Sequence, residues 1–136
     1  MYRVLLPVDG NVDRALEQAS FVAALPVDPA DLSVTVVHAL TEEGDQQGEL
    51  RQVGNVRSVR RAVEALREAG FDPEVDEIGE PPAETIRETA EALAADLVVM
   101  GAGKRSAARE AMFGSVSRRV IRGTDRPVTV VGPAVE

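Results

Sequence analysis

The chain has 136 residues, is 44% hydrophobic and 3% aromatic, and carries 23 acidic against 15 Lys and Arg residues for a formal net charge of −8. With no cysteine and one histidine, disulfide staples and thiolate metal sites are excluded, and a zinc or transition-metal centre is not expected. The acid excess disfavours nucleic acid and anionic membrane as partners, and no apolar run approaches the roughly 18 residues that a membrane span needs.

Tyr2 to Val8 (YRVLLPV) is an apolar strand that runs into the turn signal Asp9-Gly10. It starts directly after Met1 with no basic, cleavable leader pattern, so a cytoplasmic protein is expected. Asn11 can cap a helix whose apolar face is Ala15, Leu16, Ala19 and Val22-Ala23. A loop over Pro26 to Asp31 leads into a second strand, Leu32 to Leu40, rich in β-branched residues, and then into an acidic stretch from Thr41 to Gly48. Glu49 to Ala69 reads as a long helix with Val53, Val56, Val59, Val63 and Leu66 on one side, closed by Gly70. Val75 to Ile78 is a short strand. Pro81 suits the first turn of a helix carrying Ile86, Ala90 and Leu93. Asp96 to Met100 is a continuous apolar strand, Ser115 to Arg122 a helix with Val116, Val120 and Ile121 inward, and Arg126 to Val131 the last strand.

Strands without strict alternation, separated by helices, predict one α/β domain over residues 1–136 with a doubly wound parallel sheet and helices on both faces. Ligands of such sheets bind beyond the strand C-termini, where the winding direction reverses. That rim collects Asp9, the residues after Val37, and the loop after Met100.

This loop is unusual in its charge. From Gly101 to Arg122 there are six basic residues, including Lys104, the only lysine, and one acid, Glu110; the rest of the chain sums to −13. The reversal suggests an anion, although any single arginine is more simply a solvated one or one paired with acids on neighbouring helices. Fourteen of the fifteen basic residues are arginine, which fits either a high-salt host or an arginine-favouring genome.

Three phosphate-site patterns fail here. A Walker loop needs G-x-x-x-x-G-K-[ST], but Arg105 follows Gly103-Lys104 and Val98 stands at the first glycine position. A dinucleotide fingerprint would need glycine at Ser106. A phospho-acceptor receiver needs an acidic pair after strand one, an acceptor Asp after strand three and a lysine after strand five, whereas here strand one ends in Asp9 alone, strand three in Ile78-Gly79, and Val131-Gly132-Pro133 follows strand five.

A fourth pattern fits. Met100-Gly101, a basic stretch, then Gly114-Ser115 at a helix start resembles the nucleotide loop G-x2-G-x9-G-[ST] of the universal stress protein family. VLLPVDG, Val37-His38-Ala39, GEPPAETI, DLVVMG and RPVTVV extend the resemblance over the whole chain. It implies a Rossmann-like fold, of the adenine nucleotide alpha hydrolase type, with strand order 3-2-1-4-5. It also implies ATP or AMP binding, with adenine near Pro7, Val8, Asp9 and Ala39. Ribose and phosphates would run along Met100, Gly101, the second loop glycine and Gly114-Ser115-Val116. That second glycine falls on Lys104, next to Gly103; a lysine there either obstructs the phosphates or adds a charge to them. Gly101 is expected to take a positive φ and to let a ligand approach without a Cβ in the way. Backbone N–H groups at the helix start attract phosphate.

Mg²⁺ could accompany the nucleotide through Asp9, which could equally cap the first helix. His38 reads as a strand-end residue rather than a catalyst. The resemblance further implies a homodimer through Arg126 to Val131. The function expected is nucleotide binding in a stress or regulatory role, with at most slow ATP hydrolysis. The alternative is a nucleotide-free dimeric module that acts on partner proteins.

Overall fold

In the computed structural model, residues 1–39, 56–101 and 115–132 are described. They form β1 (Tyr2–Pro7), α1 (Val12–Ala23), a 3-10 turn (Pro29–Asp31), β2 (Leu32–Ala39), α2 (Arg57–Glu68), β3 (Glu74–Ile78), α3 (Pro82–Leu93), β4 (Leu97–Gly101), α4 (Ser115–Gly123) and β5 (Val128–Val131). All five strands pair in parallel, in the order β3-β2-β1-β4-β5. This is the doubly wound sheet that alternating strand and helix patterns predict.

Successive side chains of a strand point to opposite faces, and here each face has its own core. Val4, Leu6, Val34 and Val36 pack with Ala15, Ala19 and Val22 of α1 and Val59, Ala62 and Leu66 of α2. Leu5, Val37 and Val98 pack on the other face with Ile86 and Ala90 of α3 and Val120 of α4. Leu5 and Leu6 are both fully buried, each contributing about 1.5–3 kcal/mol. A one-residue slip of β1 would exchange the two faces.

The helix ends follow local chemistry. Asn11 is the N-cap of α1, its side chain accepting from the Arg14 N–H at 2.8 Å. At the end of α2 the Gly70 N–H donates to Arg67 O and the Phe71 N–H to Leu66 O, both at 3.0 Å. Gly70 stands at φ 98° between them, and buried Phe71 and Leu66 pack in one cluster, completing a Schellman stop. The end of α3 repeats the design with Ala94 at φ 53°, where the Ala95 N–H donates to Ala90 O at 2.9 Å. A left-handed alanine carries strain that glycine avoids.

Four details differ from the expectations. On α1, Gln18 is buried, whereas Leu16 and Ala23 are half-buried. On α4, Ser117 is buried and Ile121 is 39% exposed, so the inward stripe is Val116, Ser117 and Val120. The last strand begins at Val128 rather than Arg126. Pro127 has no N–H to give a ladder, and Arg126 is drawn aside: its N–H donates to Thr124 Oγ1 and its guanidinium to Glu91 and Ala95 O. The second helix starts at Arg57 rather than running unbroken from Glu49, because Val56 is extended (φ −71°, ψ 129°) as its N-cap; residues 40–55, Val53 included, lie outside the described ones.

Candidate functional site

The reversal of winding lies between β1 and β4. Their ladder has two residue pairs, Val4 with Leu97 and Leu5 with Val98, whereas β1 and β2 share six. At its lower end Asp96 clamps the seam: the Arg3 N–H donates to Asp96 Oδ2 at 2.9 Å, and the Asp96 N–H to Arg3 O at 2.7 Å. Above Leu5 and Val98 the pairing stops, although Leu6-Pro7 and Val99 to Gly101 continue the two strands. Pro7 has no N–H with which to extend it.

A side chain takes over where the backbone stops. Gln18, 1% exposed on α1, donates from Nε2 to Pro7 O at 2.7 Å and to Val99 O at 3.0 Å. One amide group thus bridges the two strand tips and satisfies buried carbonyls that would otherwise lose a partner. Ser58 of α2 donates to Asp9 O at 2.5 Å, and Ser117 of α4 donates to Gly101 O at 3.1 Å. Three helices therefore hold the rim by polar contacts.

Asp9 is 56% exposed at its side chain and has a partner at each carboxylate oxygen. Its Oδ1 accepts from the Asn11 N–H at 3.0 Å, and its Oδ2 pairs with Arg14 Nη1. The N-cap is Asn11, and Asp9 braces the turn before it. The stem of Arg14 lies over the backbone of Gly101: a Cβ built there would stand 2.6 Å from Arg14 Cγ and Cδ and 2.9 Å from Gln18 Oε1. Glycine is needed at this position because two side chains of α1 approach it. Positive φ plays no part, since Gly70 is the glycine with positive φ among the described residues.

The predicted site residues fall on this rim where they are described. Pro7, Val8 and Met100 are buried, so they offer backbone rather than side chain to a ligand. Ala39 ends β2 opposite Ile78. Ser115 is exposed as the first residue of α4, and Val116 is half-buried behind it. Gly103, Lys104 and Gly114 lie outside the described residues. His38 is buried at the end of β2. Arg118, Arg119 and Arg122 are exposed on α4.

For magnesium, the donor set does not suit a site held by the protein. Asp9 already faces a guanidinium, and no group of three metal-ligating side chains occurs among the described residues. A pocket of about 160 Å³ lies elsewhere, lined by Arg3, Ser33, Thr35, Glu74 and Leu93. It sits at the opposite rim, by the starts of the strands, where doubly wound sheets do not bind their ligands.

Residues 1–132 match the profile of the universal stress protein family. The chain belongs to that family. Among solved structures, it is similar to the universal stress protein from Archaeoglobus fulgidus, at 26% identity and a TM-score of 0.73, covering 96% of this chain and 98% of that one. The structure of the Archaeoglobus protein in complex with dAMP gives 25% identity and the same TM-score and coverage. The stress response protein NhaX of Bacillus subtilis (strain 168) is 35% identical over 66 residues, which span 48% of this chain and 40% of NhaX. Among the described residues no helix is long and apolar enough to cross a membrane.

Within a universal stress protein, Gln18, Arg14, Ser58 and Ser117 are the rim residues that sequence reasoning missed. Gln18 left one signal, a polar residue set within the apolar positions Ala15, Ala19 and Val22. Arg14 left another, a cation in the first turn of a helix, where the dipole favours acids. Ser117 left a third, a polar residue set among the apolar positions Val116 and Val120, and Ser58 left none.

Proposed function

We propose that this universal stress protein binds an adenine nucleotide, ATP or AMP, in the crevice between the tips of β1 and β4, and acts in a stress response with little or no turnover. The observation that carries the reading is the two-pair β1–β4 ladder: the strands part at the switch point, where this architecture takes its ligands. The start of α4 at Ser115 flanks the same rim, and the N–H groups of a helix's first turn, which have no partner within the helix, favour a phosphate. The dAMP complex of the Archaeoglobus relative supports the choice of adenine nucleotide. Adenine would rest on the backbone of Pro7, Val8 and Asp9, and the ribose and phosphates along Met100, Gly101 and Ser115. Magnesium, where present, would come with the phosphates. The absence of a Walker serine from the sequence supports binding without fast hydrolysis.

A second reading has an observation of its own. Asp9 is engaged at both carboxylate oxygens and Gly101 is covered by Arg14, which suits a dimeric module that works without nucleotide. In either reading the partly exposed edge strand Val128–Val131 is the expected dimer seam, since a sheet edge tends to be paired or covered. Titration calorimetry with ATP and AMP separates the two. Saturable heat with a rise in melting temperature supports the nucleotide reading; neither heat nor shift at millimolar nucleotide overturns it. Phosphate release from ATP tests turnover, and sedimentation velocity tests the dimer.

A further inference from the structure

Arg14 is oddly placed. It is the third residue after the N-cap of α1, where the partial positive charge of a helix start opposes a cation by about 0.3–1 kcal/mol. Its guanidinium is held by Asp9, just past the tip of β1, and its stem lies on Gly101, at the tip of β4. The side chain therefore spans the two tips between which a switch-point ligand lies. It is 21% exposed, and its partner Asp9 is exposed beside it.

We propose that Arg14 is the specificity-determining residue of the crevice, an internal occupant that a ligand displaces and that rewards anionic nucleotides over neutral nucleosides. The inference rests on the nucleotide reading of the crevice. Any molecule that reaches Asp9 and the Gly101 backbone together has to lift Arg14 off both. A neutral nucleoside leaves the guanidinium without its carboxylate partner. A nucleotide supplies a phosphate to which the guanidinium can turn, and arginine matches phosphate oxygens with paired donors. The same displacement is thus uphill for one class of ligand and compensated for the other.

The test is calorimetric titration of AMP and of adenosine into the wild-type protein, Arg14→Ala, Arg14→Gln and Arg14→Lys, with a thermal melt of each variant. In the wild type AMP binds more tightly than adenosine. In Arg14→Ala and Arg14→Gln adenosine tightens by about 2–5-fold, as expected when an exposed ion pair no longer has to break. AMP weakens by about 10-fold or more, as expected for a lost charged hydrogen bond, so the preference collapses. Arg14→Lys, which keeps the charge, retains part of it. Equal factors for both ligands, or weaker adenosine binding in Arg14→Ala, overturn the proposal and leave Arg14 a structural brace. Binding of neither ligand by the wild type defeats the nucleotide reading itself, and this inference with it.

Discussion

Replacing Gly101 by alanine puts a methyl group where two side chains of α1 already stand, 2.6 Å from the Arg14 stem and 2.9 Å from Gln18 Oε1. Arg14 can swing away, giving up its partly exposed pair with Asp9 at about 0.2–1 kcal/mol. Gln18 has no such exit. It is buried, and moving it strains or breaks amide hydrogen bonds to Pro7 O and Val99 O, at about 0.5–1.5 kcal/mol each. The expected loss is therefore roughly 1–4 kcal/mol, in line with overpacking of a tight interior. Urea unfolding followed by far-UV circular dichroism measures it, in the wild-type and in the Arg14→Ala background. The penalty should shrink without Arg14 but persist, because Gln18 remains. A loss below about 0.5 kcal/mol, within the range of an ordinary surface change, would refute the close approach. An equal loss in both backgrounds would show that Arg14 does not lie over the glycine.

Gln18→Met keeps length and removes the donor, and should cost about 1–3 kcal/mol for two lost hydrogen bonds, read as a lower urea midpoint; a neutral result would mean that the strand tips do not depend on the amide. Ala94→Gly should stabilise by about 0.5–1 kcal/mol, relief of left-handed strain offset by a more flexible unfolded chain. Gly70→Ala, at the matching position of α2, should destabilise by about 0.5–1 kcal/mol, the same two effects reversed. Its Cβ would meet nothing closer than Pro29 Cγ at 3.5 Å, so steric crowding adds little; thermal melts of the two variants should move in opposite directions. Ile121→Glu should leave stability within about 0.5 kcal/mol in the same assay, and a larger drop would place Ile121 in a buried interface.

Much of this fold is legible in the chain because its signals are local. Gly70 ends a helix through its own φ, Asn11 starts one through its own side chain, and β-branched runs between helices announce a parallel sheet. The rim was legible as a place, through Asp9-Gly10 and Met100-Gly101, but not as a mechanism. Gln18 and Ser117 look like breaks in apolar stripes, and only the carbonyls of Pro7, Val99 and Gly101 explain them. Ile121 was misjudged for a related reason: helical spacing admits it to the inward face of α4, but Ser117 is the residue buried there. Gly101 was expected for its backbone freedom, whereas the reason it is glycine comes from a helix far away in sequence. The basic stretch between Gly101 and Ser115, where Gly103, Lys104 and Gly114 stand, lies outside the described residues.

Because the seam between the two halves of the sheet has so few backbone rungs, its upper gap is gauged by an amide on α1 rather than by the strands themselves. The bore of the opening can thus be retuned by exchanging one side chain, with every strand left in register. A relative with a shorter or bulkier residue at that spot would present a differently calibrated mouth on an unaltered frame.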